Sequence, residues 1–289
     1  MKFALWCLRW VGTWPLFLLR AFGVAFGTVL FVFAHERRRV ALINLRWCFP
    51  QMSRARRIYT VWQHVVVLAQ SLLDRGWLWY APRAVIEQRV RWVGLEHYET
   101  ASAASANAPL ILLAPHFVGL DAGGVRVSMI KHAASMYSKQ KNPVFDAAVI
   151  AARSRFNAPL LLSRQDGVRG ALRALKQGLS FYYLPDMDFG ARDASFVPFF
   201  GVQAATVTAP SRLAKLSGAR IVPCVSRMTA WGYEIQMYPA WENFPTDDAV
   251  ADTARMNQFI EQRVLEMLPQ YLWTHKRFKT RPPGEAKPY

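Results

Sequence analysis

The first long apolar stretch of the chain runs from Trp10 to Ala34, where Arg20 is the only charged residue and Ala21 to Ala34 is an uninterrupted run. That run alone is short of the roughly 20 residues that cross a bilayer. A helix from about Val11 to Ala34 reaches that length if the stem of Arg20 snorkels toward one interface. Trp6, Trp10 and Trp14 recur every four residues, which places them on one face of a helix, as at a membrane–water interface. Gly23 and Gly27 form a G-x-x-x-G, a spacing that also arises by chance. No small-x-small cleavage site follows, so the segment reads as an uncleaved anchor rather than a signal peptide. A buried core helix followed by a solvated basic face is the alternative.

Beyond the anchor the periodicity changes. Residues 40–80 carry Tyr59, Trp62, Val66 and Ala69 at helical spacing, with Ser53 as a cap. The small, polar segment 102–109 reads as a loop. Leu110 to Ala114 then forms a short apolar run stopped by Pro115-His116, which suits a buried strand. Further strands are expected over 158–164, 179–184 and 221–225, and helices over about 167–176, 210–217 and 248–268. Gly178, Gly218 and Pro269 terminate these helices. Strands alternating with helices predict an α/β domain, a mixed sheet flanked by helices, over residues 37–282. Residues 1–36 are the expected N-terminal membrane anchor, and 283–289 a loose tail.

Composition narrows the partners. With 53% apolar residues the chain can bury a core, and its 36 Lys plus Arg against 19 Asp plus Glu give a net charge of +17. Such an excess points to nucleic acid, a phosphorylated lipid surface or an acidic protein. Its distribution chooses among them: residues 1–57 hold ten basic residues and one acid, Glu36, and eight of the eleven tryptophans precede residue 93. A membrane surface therefore leads nucleic acid. The cluster Arg37 to Arg39, followed by Arg46, Arg54, Arg56 and Arg57, assigns the remaining chain to the cytoplasmic side. Cys7, Cys48 and Cys224 have no spacing suited to zinc, and no metal or other cofactor is expected.

The chain has no G-x-S-x-G elbow, P-loop, G-x-G-x-x-G or H-E-x-x-H. What remains is His116 at the end of an apolar strand, followed five residues later by Asp121. A carboxylate on one imidazole nitrogen fixes the tautomer and raises the basicity of the other, making a general base for a hydroxyl. The spacing alone also fits a structural histidine. Position favours chemistry, since sites in open α/β sheets lie beyond the carboxyl ends of strands.

His116-x4-Asp121 resembles the first motif of the glycerolipid and lipid A acyltransferase superfamily, and Arg164 after Leu160-Leu161-Leu162 resembles its second. The segments Pro185-Asp186-Met187-Asp188-Phe189-Gly190 and Phe196-Val197-Pro198-Phe199-Phe200-Gly201 are similar to the late acyltransferases of lipid A biosynthesis, the lauroyl/myristoyltransferase family. So are Asn44 to Pro50, Lys141-Asn142-Pro143, Ala205-Thr206 with Ser217-Gly218-Ala219, and Gln270 to Lys279. The chain departs from that family in carrying Asp121 where Glu is frequent, and Ser138 where a basic residue often follows the tyrosine matching Tyr137.

The resemblance implies transfer of a fatty acyl group from acyl carrier protein to a hydroxyl of a lipid A precursor at the inner membrane. His116 would be the base and Asp121 its orienter. Arg164, Lys141, Asn142, Asp186 and Asp188 would bind substrate, Arg164 by holding a phosphate or the oxyanion, an ordinary ion pair being its alternative. Asp186 and Asp188 also fit strand-end caps or, less well, a metal pair. Arg169, Arg173 and Lys176 form a basic helix stripe that would steer the acidic carrier protein or be merely solvated. An acyltransferase for another lysolipid or glycolipid is the nearest alternative. A membrane-tethered nucleic-acid-binding protein would explain the charge but not the strand-end residues.

Overall fold

Pro15 divides the apolar N-terminal stretch into two helices. In the computed structural model, which describes residues 1–103, 109–163 and 167–289, α1 spans Lys2–Val11 and α2 spans Leu16–Phe33. The single helix expected over Val11–Ala34 is thus corrected. Proline lacks the N–H that would continue α1, but its φ of −53° suits the residue before a new helix. The expected helix over 40–80 likewise becomes α3 (His35–Cys48) and α4 (Arg54–Tyr80), separated at Phe49-Pro50. The Ser53 hydroxyl accepts from the Arg56 N–H at 3.3 Å, as a cap should.

The chain continues through α5 (Arg83–Arg89), β1 (Val90–Val93), α6 (Leu95–Ala103), β2 (Leu110–Leu113), α7 (Leu120–Ser128) and β3 (Ala133–Tyr137). There follow α8 (Pro143–Arg153), β4 (Leu160–Ser163), α9 (Gly167–Lys176) and β5 (Ser180–Tyr183). The last part comprises β6 (Ala194–Phe199), β7 (Val202–Val207), α10 (Ala209–Ser217), β8 (Arg220–Thr229), β9 (Gly232–Met237) and α11 (Ala249–Glu266). Among the described residues a seven-stranded sheet has the order β1-β9-β8-β2-β5-β3-β4, and β6 and β7 pair separately as an antiparallel ribbon. Every pairing in the large sheet is parallel except β8 with β9. The sheet is therefore mixed and flanked by helices, as expected.

β2 shows why the sheet is covered on both faces. Its four residues are all buried, and alternation sends Ile111 and Leu113 into one core with α9, α10 and α11, and Leu110 and Leu112 into another with α5 and α7. α7 lies close over the sheet because of Gly123: a Cβ there would stand 2.3 Å from the Ser226 hydroxyl and 2.6 Å from that of Tyr182. α4 feeds both cores, through Val61 and Val65 to the first and Trp77 and Leu78 to the second.

α2 runs antiparallel to α4. A Cβ on Gly23 would meet Gln70, and one on Gly27 would meet Val66 and Ala69. The G-x-x-x-G therefore serves close packing within the chain. Arg20 does not snorkel: its Nη1 bonds the Asp74 carboxylate at 2.6 Å, and Asp74 also accepts from the Tyr233 hydroxyl at 2.6 Å and Trp77 Nε1 at 3.0 Å. Asp74 is fully buried, and these donors offset the cost of burying its charge. At the other terminus, the tail expected to be loose is fastened by Tyr289, whose hydroxyl accepts from the Phe278 N–H at 3.1 Å and donates to Asn44.

Candidate active site

His116 follows β2 at the carboxyl end of the sheet. The segment after the short 3-10 turn Leu268–Gln270 lies alongside it: the Leu272 N–H donates to the His116 carbonyl at 2.9 Å, and Phe117 bridges Tyr271. The imidazole is mostly buried, with 13% of the side chain exposed.

The carboxylate that holds this histidine is Asp186, in the turn after β5. Asp186 Oδ1 lies 2.7 Å from His116 Nδ1, and the His116 backbone N–H donates to both Asp186 oxygens at 3.0 and 3.1 Å. β2 and β5 are parallel neighbours, so their carboxyl-terminal turns meet there. Burial alone would raise the Asp186 carboxyl, but the charge of His116 and its two kinds of hydrogen bond hold it below the ordinary value. An ionised acceptor fixes the proton on Nδ1 and leaves Nε2 with its lone pair free. That is the arrangement of a general base.

The expected orienter, Asp121, has other partners. Arg75 of α4 holds its Oδ2 through Nε and Nη2, both at 2.7 Å, and Arg153 of α8 reaches Oδ1 at 3.5 Å. Burial raises the Asp121 carboxyl, and the two arginines more than reverse this. The five-residue spacing turns Asp121 onto the first turn of α7, where its acid suits the helix N-terminus. Its role as the histidine's partner is thus replaced by that of an ion-pair centre joining α4, α7 and α8.

Asp188 serves the loop around it. Its oxygens accept from the Thr280 N–H at 2.6 Å, the Thr280 hydroxyl at 2.7 Å and the Gly190 N–H at 2.9 Å. The strand-end cap anticipated for this residue describes it better than a substrate ligand. Asn142 caps α8, accepting from Val144 and Phe145 N–H groups at 3.1 Å, and Lys141 beside it is exposed. Arg164 lies outside the described residues. Arg169, Arg173 and Lys176 are exposed on α9. No cluster of His, Cys, Asp and Glu suited to a metal occurs among the described residues.

Arg75 and Arg153 were not legible from the sequence, and His275 was marked only as part of the segment Gln270 to Lys279. His275 Nε2 accepts from the Asp188 N–H at 3.0 Å. Burial, followed by the charge of His116, lowers His275 to about 4, so it stands neutral beside the site. No motif marks Arg75 or Arg153: each residue acquires its part only when α4, α8 and the C-terminal segment fold against the strand ends.

Between α7, α8 and strands β3 to β5 lies an apolar slot of about 170 Å³. Leu120, Val125, Phe145, Val149, Leu161 and Leu184 line its walls, and Arg75, Asp121 and Arg153 form its charged rim. Leu120 opens the helix that follows His116, and Leu184 stands two residues before Asp186. The slot therefore meets the segments that follow β2 and β5 at Leu120 and Leu184, while His116 and Asp186 themselves are not in its lining. A recess with apolar walls and several polar groups suits a ligand that joins a hydrocarbon chain to a polar head.

Comparison with known proteins gives a consistent picture. The family described as bacterial lipid A biosynthesis acyltransferase matches residues 2–280. The lipid A biosynthesis lauroyltransferase of Escherichia coli K12 is 33% identical over 293 residues, covering 98% of this chain and 94% of its own length. The palmitoleoyltransferase of the same organism is 32% identical over 272 residues, covering 92% and 87%. Its myristoyltransferase is 35% identical over 260 residues, covering 87% and 78%. The three relatives are named for different acyl groups at nearly equal identity, so identity does not choose an acyl chain.

Proposed function

Because the chain belongs to the family of bacterial lipid A biosynthesis acyltransferases, we propose that it moves a fatty acyl group from acyl carrier protein to a hydroxyl of a lipid A precursor, at the cytoplasmic face of the inner membrane. The observation that carries the mechanism is the 2.7 Å contact of His116 with Asp186 at the end of the central strand, beside an apolar slot.

His116 Nε2 removes the proton of the acceptor hydroxyl as its oxygen attacks the thioester carbonyl. Asp186 holds the Nδ1–H and stabilises the imidazolium that forms. The tetrahedral intermediate collapses by breaking the carbon–sulfur bond, and the thiol leaves with the proton from His116. A thiol has an ordinary pKa of about 8.5, so it leaves readily and neither a metal nor a covalent acyl-enzyme is required. The acyl chain lies in the slot, where each buried methylene contributes about 0.8 kcal/mol. Arg75 and Arg153 supply positive charge at its rim. Lys141, Arg164 and the α9 stripe remain candidates for meeting the phosphorylated acceptor and the acidic carrier protein.

The test is acyl transfer by purified protein in lipid or detergent, with a labelled carrier-protein thioester as donor and either a lipid A precursor or lysophospholipids as acceptor. Transfer to the lipid A precursor that is lost in His116→Ala is the expected result. Full activity of that variant would overturn the mechanism, and transfer to lysophospholipid alone would overturn the acceptor.

A further inference from the structure

Among the described residues, the long apolar helix of this chain has a bonded partner along its inner face, while its outer face meets little beyond its own rings and that of Trp14. Inside, Arg20 is paired with Asp74, the Arg20 carbonyl accepts from Gln70 Nε2 at 3.0 Å, Gly23 and Gly27 abut α4, and the Thr28 hydroxyl accepts from Trp62 Nε1 at 3.0 Å. Arg38 closes the end of the helix by donating to the Phe31 carbonyl at 2.6 Å. Outside, Phe17, Phe22, Val29 and Phe33 are 71, 44, 52 and 73% exposed. Phe3, Trp6 and Trp10 of α1 are exposed as well.

α4 is committed on its other side. His64 Nδ1 bonds the Pro269 carbonyl at 2.9 Å, and Arg75 holds Asp121. α4 is therefore a layer between α2 and the segments that carry His116. If α2 crossed a bilayer as a separate span, it would leave Asp74 buried without Arg20. If it crossed together with α4, the polar partners of His64 and Arg75 would be drawn into hydrocarbon. Lys2 and Arg9 are exposed before α2, and Arg37, Arg39, Arg54 and Arg56 are exposed after it. Basic residues at both ends of an apolar face fit a helix whose two ends lie at headgroup level.

From these relations we infer that α2 does not span the membrane: it lies in the plane of one leaflet, its outer face in the acyl region, its inner face fixed to α4, and the basic residues at both ends on anionic headgroups. The occupant of the exposed face is a lipid leaflet. This places the carboxyl end of the sheet, and His116, one helix layer behind the embedded helix. A lipid acceptor would then reach the site from within its own leaflet. The placement of α2 goes beyond the catalytic reading, and its measurement involves no turnover, so either can fail without the other.

The experiment is a depth profile. In a Cys7→Ser background, in which Cys48 and Cys224 are buried, the single variants Phe17→Cys, Phe22→Cys, Val29→Cys and Phe33→Cys are spin-labelled. The full chain is reconstituted in vesicles of phosphatidylethanolamine and phosphatidylglycerol, and oxygen and nickel-chelate accessibilities give the depth of each label. Phe17 and Phe33 are sixteen residues apart, about 24 Å along a helix. The expected result is four labels at similar shallow depth, within about one helix diameter of 10 Å. A depth that passes through the bilayer centre, with Phe17 and Phe33 in opposite leaflets, would overturn the inference. So would labels open to the nickel chelate throughout, or labels shielded from both reagents as a second copy of the chain would shield them. Removing phosphatidylglycerol should lower vesicle binding several-fold, and unchanged binding would refute the headgroup contacts.

Discussion

His116 Nδ1 meets Asp186 Oδ1 at 2.7 Å across 70 residues of chain, while the acid five residues from His116 is held by two arginines. The parallel pairing of β2 with β5 brings the two turns together. The acid nearest in sequence is not the one in contact, and the two should be separable by substitution.

Asp186→Asn keeps the shape of the side chain but removes the charge that fixes the tautomer and stabilises the imidazolium. The expected loss in kcat is about 10²- to 10⁴-fold, the usual contribution of a positioned acid–base pair. Asp121→Asn should cost less in kcat, because it weakens the joint between α4, α7 and α8 rather than the base. Steady-state transfer rates for the two variants decide the matter. A larger kcat defect in Asp121→Asn would return the orienting role to that residue.

The slot predicts chain-length selection. Gly124 of α7 also lines the slot, and a Cβ on it would find its nearest neighbour, Tyr182, at 3.8 Å, so Gly124→Ala should be tolerated. Gly124→Leu should fill part of the slot and shift preference toward shorter donors, by about fourfold per excluded methylene. Competition between carrier-protein thioesters of different lengths measures the shift. An unchanged preference would mean that the acyl chain lies elsewhere.

Asp74 joins α2, α4 and β9 through Arg20, Trp77 and Tyr233. Asp74→Ala leaves Arg20 mostly buried without its partner, and breaking a buried pair in this way costs about 3–5 kcal/mol. Thermal unfolding in detergent should show a large drop in midpoint, and α2 should become more accessible to protease. A variant as stable as the parent would mean that Arg20 finds water or another acceptor.

His64 gives a pH dependence of stability. It is fully buried and its pKa is lowered to about 4, burial being the main cause with the Pro269 carbonyl opposing it. In the unfolded chain the value is about 6.5. The unfolded state therefore binds the extra proton between these values, and stability falls as pH drops from about 6.5 to 4, by about 3 kcal/mol in all. His275, also lowered to about 4, acts in the same sense. Urea midpoints at pH 7.5 and 5 should differ, and His64→Phe should reduce the difference. The same slope in that variant would assign the loss to other groups.

The strands of the inner sheet were legible where their sequences are uniformly apolar. β2, β5 and the start of β8 are short apolar runs bounded by glycine, proline or polar loops, and they lie where the pattern put them. β3 escaped because Ala133-Ala134-Ser135-Met136-Tyr137 is too small and mixed to stand out from a loop. β6 carries Pro198, which argues against a strand, yet proline is admissible in a two-stranded ribbon. Hydropathy alone predicts too long an N-terminal helix, because it passes through Gly12 and Pro15 without a break. The histidine of the candidate site was legible from its position after β2. Its carboxylate was not, since a contact across 70 residues depends on strand order, which local pattern does not contain.

The position of β2 in the sheet also sets a schedule for synthesis. Ile111 pairs with Phe181 on one side and with Ile221 on the other, so the central strand has neither neighbour until much of the later chain exists. At ribosomal rates, the interval from Tyr80 to Thr229 lasts roughly 8 to 30 s. The residues of α1 to α4 and of the Arg20–Asp74 pair all lie at or before Tyr80. The newborn chain therefore carries its four N-terminal helical segments long before its sheet can close, and Tyr233 reaches Asp74 only near the end, joining the early segments to the late ones.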